Sequence, residues 1–186
     1  MNDIKPEKKI KKVKVEKTFL QKCAGQTRCK AVVPGAGYLL VSFLGSMGAI
    51  LAIAYLCIEA RLFAFIVPFG ASSVLVFGDH LSEFSQPRNL VAGHVLSAFV
   101  GVAVLNVLGF TCISLALAVG LSTVVMLITR TMHPPAGATS LLGVISSNGS
   151  YLWPIIPIAS GALIIVLIAL LVNNLDKRRS YPLYWY

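Results

Sequence analysis

The sequence predicts an all-α membrane protein: a helical bundle of two internal repeats, each a span, a broken Pro-Gly segment and a second span. Three observations predict it. Apolar residues make up 56% of the chain and the mean hydropathy is +0.80, above the roughly 45–50% apolar share of soluble domains. The apolar runs are long and free of charge, whereas a soluble helix of that length shows a polar face. The charge is also confined to the ends. Residues 1–30 carry ten Lys/Arg against three Asp/Glu, residues 31–175 carry three of each sign, and Asp176, Lys177, Arg178 and Arg179 follow.

That distribution sets the expected organisation. Residues 1–30 form a basic cytoplasmic tail, disordered or interfacial, and 31–175 a transmembrane domain. Residues 176–186 form a cytoplasmic C-terminal tail. The positive-inside rule places both termini of this multi-pass protein in the cytoplasm, at the cell membrane, so the number of crossings is even. The tail lysines are strung out without aromatic interleaving or a nucleic-acid-binding motif, so their expected partner is anionic lipid headgroups, not nucleic acid. The basic stretch is too long, and the first apolar run starts too late, for a cleavable signal peptide.

The elements follow in order. Tyr38 to Ile58 is a span rich in small residues (Gly45, Ser46, Gly48, Ala49) suited to close packing. After a Glu59–Ala60–Arg61 corner, Leu62 to Gly78 is apolar but short, and is interrupted by Pro68 and Gly70. Asp79–Asn89 is a polar loop. Leu90 to Leu108 is a span carrying His94 and Asn106. Gly109 marks a short turn, and Thr111 to Ile128 is the next span. His133 to Ser147 is again short and broken by Pro and Gly, and Tyr151 to Val172 is the last span, with Tyr151 and Trp153 as interfacial anchors. Six membrane segments result, with at least four full crossings. If both broken segments cross there are six and the halves are inverted; if both are re-entrant there are four and the halves are parallel. The positive-inside count favours six.

The repeat rests on a 67-residue offset. Pro68-Phe69-Gly70-Ala71-Ser72-Ser73-Val74-Leu75 falls on Pro135-Ala136-Gly137-Ala138-Thr139-Ser140-Leu141-Leu142, with five of eight positions identical and two conservative. Repeat 1 is then about residues 38–108 and repeat 2 about 109–174. Paired segments broken by Gly and Pro, one per half, point to a transporter binding site. A proline begins a half-helix without wasting an N–H, and glycine lets substrate or backbone approach. The following residues would offer free N–H groups and the positive end of a helix dipole. Ser72, Ser73, Thr139 and Ser140 add hydroxyls. Two such ends facing each other would hold a small inorganic anion without a buried lysine. The competing reading is a kinked, closely packed helix pair.

Other residues carry two readings each. His133, held extended before Pro134 and Pro135, is a proton-sensitive donor at the site entrance or a helix-flank histidine. His94, in an apolar span, is a functional ionisable group or a neutral histidine bonded to a carbonyl. Arg88 either draws an anion into the pore or is an interfacial arginine, and Arg130 reads as a topology anchor. Asn106, Asn173 and Asn174 read as helix contacts. The four cysteines, Cys23, Cys29, Cys57 and Cys112, lack the companions and spacing of a zinc site. No catalytic constellation appears, so no enzyme, cofactor or metal is expected.

Met132-His133-Pro134-Pro135-Ala136-Gly137-Ala138-Thr139 resembles the HPP family of small integral membrane proteins, named for that His-Pro-Pro. Pro68-Phe69-Gly70-Ala71-Ser72, Ser85-Gln86-Pro87-Arg88-Asn89, Gly93-His94 and Tyr181-Pro182-Leu183-Tyr184-Trp185 extend the resemblance over residues from about 30 to 186. The family is usually described as four-span, which re-entrant segments would reconcile with six. Some plant-chloroplast and cyanobacterial members are associated with nitrite transport, so the resemblance implies an anion transporter or channel with nitrite the leading substrate. The alternative is a non-transporting membrane scaffold whose basic tail recruits partners or lipid. The many small residues also suit a homo-oligomer.

Overall fold

The computed structural model describes residues 32–60 and 63–185. The basic tail and Arg61, with the expectations placed on them, lie outside the described residues. Six helices follow one another: α1 (Ala36–Glu59), α2 (Ile66–Gly78), α3 (Pro87–Leu108), α4 (Cys112–Thr129), α5 (Ala136–Ser146) and α6 (Ser160–Leu175). The described residues contain no strand. A 3-10 turn, Phe63–Phe65, leads into α2, and a second, Glu83–Ser85, precedes α3. A π-helical stretch, Pro154–Ala159, runs directly into α6. Pro157 inside it has no N–H to give, and a widened turn accommodates the missing bond.

Local chemistry sets the boundaries. Pro87 opens α3 as its first residue after the extended Gln86, so Pro87, Arg88 and Asn89 belong to a helix and not to the expected loop. Gly109, at φ +67°, ends α3, and the Thr111 side chain caps α4 by accepting the Ser114 N–H at 3.0 Å. Arg130 closes α4 in the left-handed region, φ 57°. Pro68 stands at the third position of α2, so it does not begin a half-helix as expected. Pro135 does stand at the mouth of α5.

The six segments alternate in direction. Tyr38 and Ser42, early in α1, donate to Gly78 O and Phe77 O at the end of α2. Arg88, at the start of α3, donates to Thr129 O at the end of α4. Along α3 and α5 the register advances together: Asn89 donates to Met132 O, Gly101 abuts Ser140 and Gly143, and Asn106 donates to Gly149 O. Trp153, ahead of α6, packs against Phe65 with ring centroids 5.2 Å apart, and Arg179, past its end, reaches Tyr38 and Phe77. The two short helices therefore run from one end of the bundle toward the other, helped by their lead-ins.

Four helical stretches, Ala36–Glu59, Pro87–Leu108, Cys112–Thr129 and Pro154–Leu175, have the length and apolar composition to cross a membrane. The bundle is apolar outside, and its interior holds buried polar side chains beside an apolar core. Leu40, Phe43, Leu51 and Tyr55 of α1 are exposed, while Ser72, His94, Ser97, His133 and Thr139 are fully buried. Lipid is as apolar as leucine, so polar groups turn inward to find partners.

Candidate functional site

Four side chains converge in the interior. Ser72 lies mid-way along α2, His94 in the third turn of α3, His133 just ahead of α5, and Thr139 in the first turn of α5. Helix packing brings them together at two glycines. At Gly93 a methyl would stand 2.9 Å from Thr131 O and 2.8 Å from His133 Cβ, so only glycine lets the Thr131–His133 stretch lie against α3. His133 stays out of helix because Pro134 follows it. One turn or two farther along, Gly101 and Gly143 bring the α3 and α5 backbones into contact, the close approach that small residues permit between membrane helices.

The hydrogen bonds form one chain. His94 Nε2 lies 2.8 Å from Ser72 Oγ, and His133 Nε2 lies 2.9 Å from the same oxygen. His94 Nδ1 is 2.7 Å from Thr139 Oγ1. His133 Nδ1 is 2.7 Å from Phe84 O and donates to it. Ser72 Oγ also lies 3.0 Å from Pro68 O, one turn back. The two imidazoles meet edge-on with centroids 4.9 Å apart, and the Phe69 ring lies tilted against His94, centroids 5.1 Å apart. All four side chains have no exposed surface. Ser72 and Thr139 occupy the same position of the two matched motifs, and both bond to His94.

The other expected site residues divide. Ser73 is buried with no partner for its hydroxyl, and Ser140 is buried with its hydroxyl donated to Gly137 O at 2.8 Å. Gly70 and Gly137 are half-buried, and a methyl on either would meet nothing within 4 Å. Ala138 and Pro135 are half-buried, while Ala71 and Pro134 face outward. Arg88 donates to Thr129 O and makes no bond to the cluster. The expected free N–H groups are absent at α5: those of Ala136, Gly137 and Ala138 bond to His133 O, Pro134 O and Pro135 O. In α2 the corresponding amides lie inside the helix, because helical structure begins before Pro68. The polar groups on offer are therefore hydroxyls and imidazoles. Phe84 O, Phe69 and the unpartnered buried Ser97 are additions the sequence reading missed.

The C-terminal segment is no free tail. Arg179 is buried: it donates to Phe77 O at 3.1 Å, Asn173 Oδ1 at 2.9 Å, Tyr38 O at 2.8 Å and Ser42 Oγ at 2.7 Å. It also stacks 3.8 Å from the Tyr38 ring centroid. Tyr181 OH donates to Ser85 O and Leu183 N to Gln86 Oε1. Burial pushes the Tyr181 phenol up, and burial with the Arg179 charge pushes His80 down. Hydrogen bonds from Arg178 hold Asp176 at about 2. Asn106 and Asn174 serve helix and loop carbonyls, as expected.

Six alternating apolar helices around a buried hydroxyl–imidazole chain define a polytopic helical membrane protein with a polar core. The chain belongs to the HPP transmembrane family, whose model matches residues 32–182. It is 42% identical over 156 residues to Transmembrane protein DDB_G0269096 of Dictyostelium discoideum, covering 78% of this chain and 55% of that one. It is 40% identical over 154 residues to Transmembrane protein DDB_G0273707/DDB_G0273361 of the same organism, covering 79% and 50%. The chain thus spans about half the length of these curated relatives. No solved structure matches it.

Proposed function

We propose that this protein is a membrane transporter or channel for a small inorganic anion, with nitrite as the leading substrate through its HPP family resemblance. The observation that carries the reading is the buried Ser72–His94–His133–Thr139 chain at the meeting of the two Pro-Gly segments. Ionisable side chains inside a membrane bundle are costly and mark ion or substrate paths. Two features support it. The matched Ser72 and Thr139 flank one imidazole, as a site between repeats would require. Space lies beside Gly70 and Gly137 where a side chain would otherwise sit. Six alternating segments also make the halves antiparallel, which suits a cell-membrane protein with both termini in the cytoplasm.

The test is flux. Purified protein in liposomes moves nitrite faster than empty liposomes, and Gly137→Leu, which places an isobutyl group in open space, abolishes the difference while the fold persists. Equal uptake by loaded and empty liposomes refutes the reading. The scaffold alternative draws on the ten basic residues of the first thirty. Deleting residues 1–30 separates the two, since a transporter keeps its flux and a scaffold loses its effect.

A further inference from the structure

Proton counting along the buried chain has one neutral solution that pairs every imidazole nitrogen. Phe84 O can only accept, so His133 carries its proton on Nδ1. Its Nε2 is then bare and needs a donor, and the Ser72 hydroxyl, at 2.9 Å, is the one it has. Ser72 has a single proton, so its contact with His94 Nε2 at 2.8 Å requires that nitrogen to donate. His94 Nδ1 is therefore bare and accepts from Thr139 Oγ1 at 2.7 Å. All the bonds run one way: Thr139 to His94 to Ser72 to His133 to Phe84 O. The two histidines are held in opposite tautomers. Only the Ser72 contact with Pro68 O, at 3.0 Å, is left without a proton.

That spare acceptor lets the chain take up one proton without losing a bond. A proton added at His133 Nε2 turns His133 into an imidazolium that donates to Phe84 O and to Ser72 Oγ. The Ser72 hydroxyl then swings from His133 Nε2 to Pro68 O, and its oxygen accepts from both imidazoles. A second proton, at His94 Nδ1, has no such outlet. It would face the donor hydrogen of Thr139, and two cations would sit with ring centroids 4.9 Å apart.

We propose that Ser72, His94, His133 and Thr139 form a binding site for one proton, held on His133, with the Ser72 hydroxyl as its switch. No carboxylate competes for the charge. The α2–α3 turn presents Asp79 and Glu83, both exposed, and His80, which lies 3.4 Å from Tyr38 OH. On α3, Arg88 is engaged with Thr129 O. The only charged residue within α1 is Glu59, exposed at its far end, and α4, α5 and α6 contain none; Arg130, after α4, is exposed. The site stands on geometry alone and needs no assumption about the transported species.

Histidine NMR tests it on the full chain in lipid nanodiscs, with 15N-labelled imidazoles. The chain has three histidines, so His80→Gln leaves the pair to be read. At neutral pH the expected pattern is opposite tautomers, Nε2–H on His94 and Nδ1–H on His133. On acidification one ring, His133, becomes imidazolium, and His94 stays neutral while the fold lasts. Ser72→Ala removes the switch and releases the opposite-tautomer pattern, whereas Ser72→Thr, which keeps a hydroxyl, preserves it. Matching tautomers in the wild type, both rings charging together, or neither charging before unfolding overturns the proposal. No substrate is used, so a failed nitrite assay and a failed titration are separate results.

Discussion

Gly101→Ala probes how the α3–α5 contact holds the buried chain. A Cβ built at Gly101 lies 3.0 Å from Gly143 Cα and closer still to Ser140 O, against 3.4–4 Å for an ordinary contact. Both neighbours are backbone and cannot rotate away, so the helices must part by upward of about 0.5 Å, an overpacking that costs about 1–3 kcal/mol. Ser140 adjoins Thr139, so the same movement lengthens the 2.7 Å His94–Thr139 bond toward about 3.2 Å, the outer limit for a good hydrogen bond. Gly137→Ala is the control. It lies on the same helix, but its methyl meets nothing within 4 Å, and a helical Gly→Ala gains about 0.5–1 kcal/mol. Thermal unfolding in one detergent ranks the three proteins, Gly137→Ala at or above wild type and Gly101→Ala below it. The His94 15N signal shifts only in Gly101→Ala. Equal stability of Gly101→Ala and wild type, with an unmoved His94 signal, would refute the packing argument.

Four further outcomes follow from the same geometry. Arg179→Ala strips donors from Phe77 O, Tyr38 O, Asn173 and Ser42 and costs on the order of 2–4 kcal/mol, read as a lower melting temperature and early protease cleavage after Leu175. His80 sits below its ordinary value through burial and the Arg179 charge, so the native state favours the neutral ring. The stability this gives is present above about pH 6.5 and is lost as pH falls, and an unchanged melting temperature of His80→Gln relative to wild type across that range would contradict it. Tyr181 is held protonated, so its contribution is complete below about pH 10 and fades above it; cleavage of the C-terminal segment rises there in wild type and not in Tyr181→Phe. Exposed single cysteines at Asp79 and Ser150, in a cysteine-free background, label from opposite sides of a membrane if all six segments cross, and from one side if two are re-entrant.

Much of the architecture was legible because lipid imposes simple rules. Uninterrupted apolar runs marked the four long helices, and proline and glycine marked the two short ones. His94 stood out as an ionisable residue in an apolar run, and Ser72, Thr139 and His133 lay in or beside the matched motifs. Their joining was not legible. It depends on Gly93 and Gly101, whose role is to be absent from the space another backbone fills, and composition cannot tell such a glycine from one facing open space, such as Gly137. The N–H groups show a related limit. A Pro-Pro start suggests free amides, but short turns at His133–Pro135 satisfy them locally, as buried backbone groups must be.

Arg179 shows the same limit from the other side. Counted as a charge, it belongs to a basic cytoplasmic tail, and the positive-inside rule uses it so. In the fold it is buried, four groups accept its protons, and Tyr38 lies beneath its guanidinium. A cation held in this way, with only its Nε left without a partner, acts as a rivet between the start of α1, the end of α2 and the end of α6. Its partners on α1 and α2 lie more than a hundred residues upstream, beyond the reach of any local pattern. The same rivet bears on the order of the segments. It joins the chain just after α6 to the beginning of α1, so the six segments close at the end where they opened. An even number of alternating segments is thus built into the bundle by a contact, independently of how many charges vote for it.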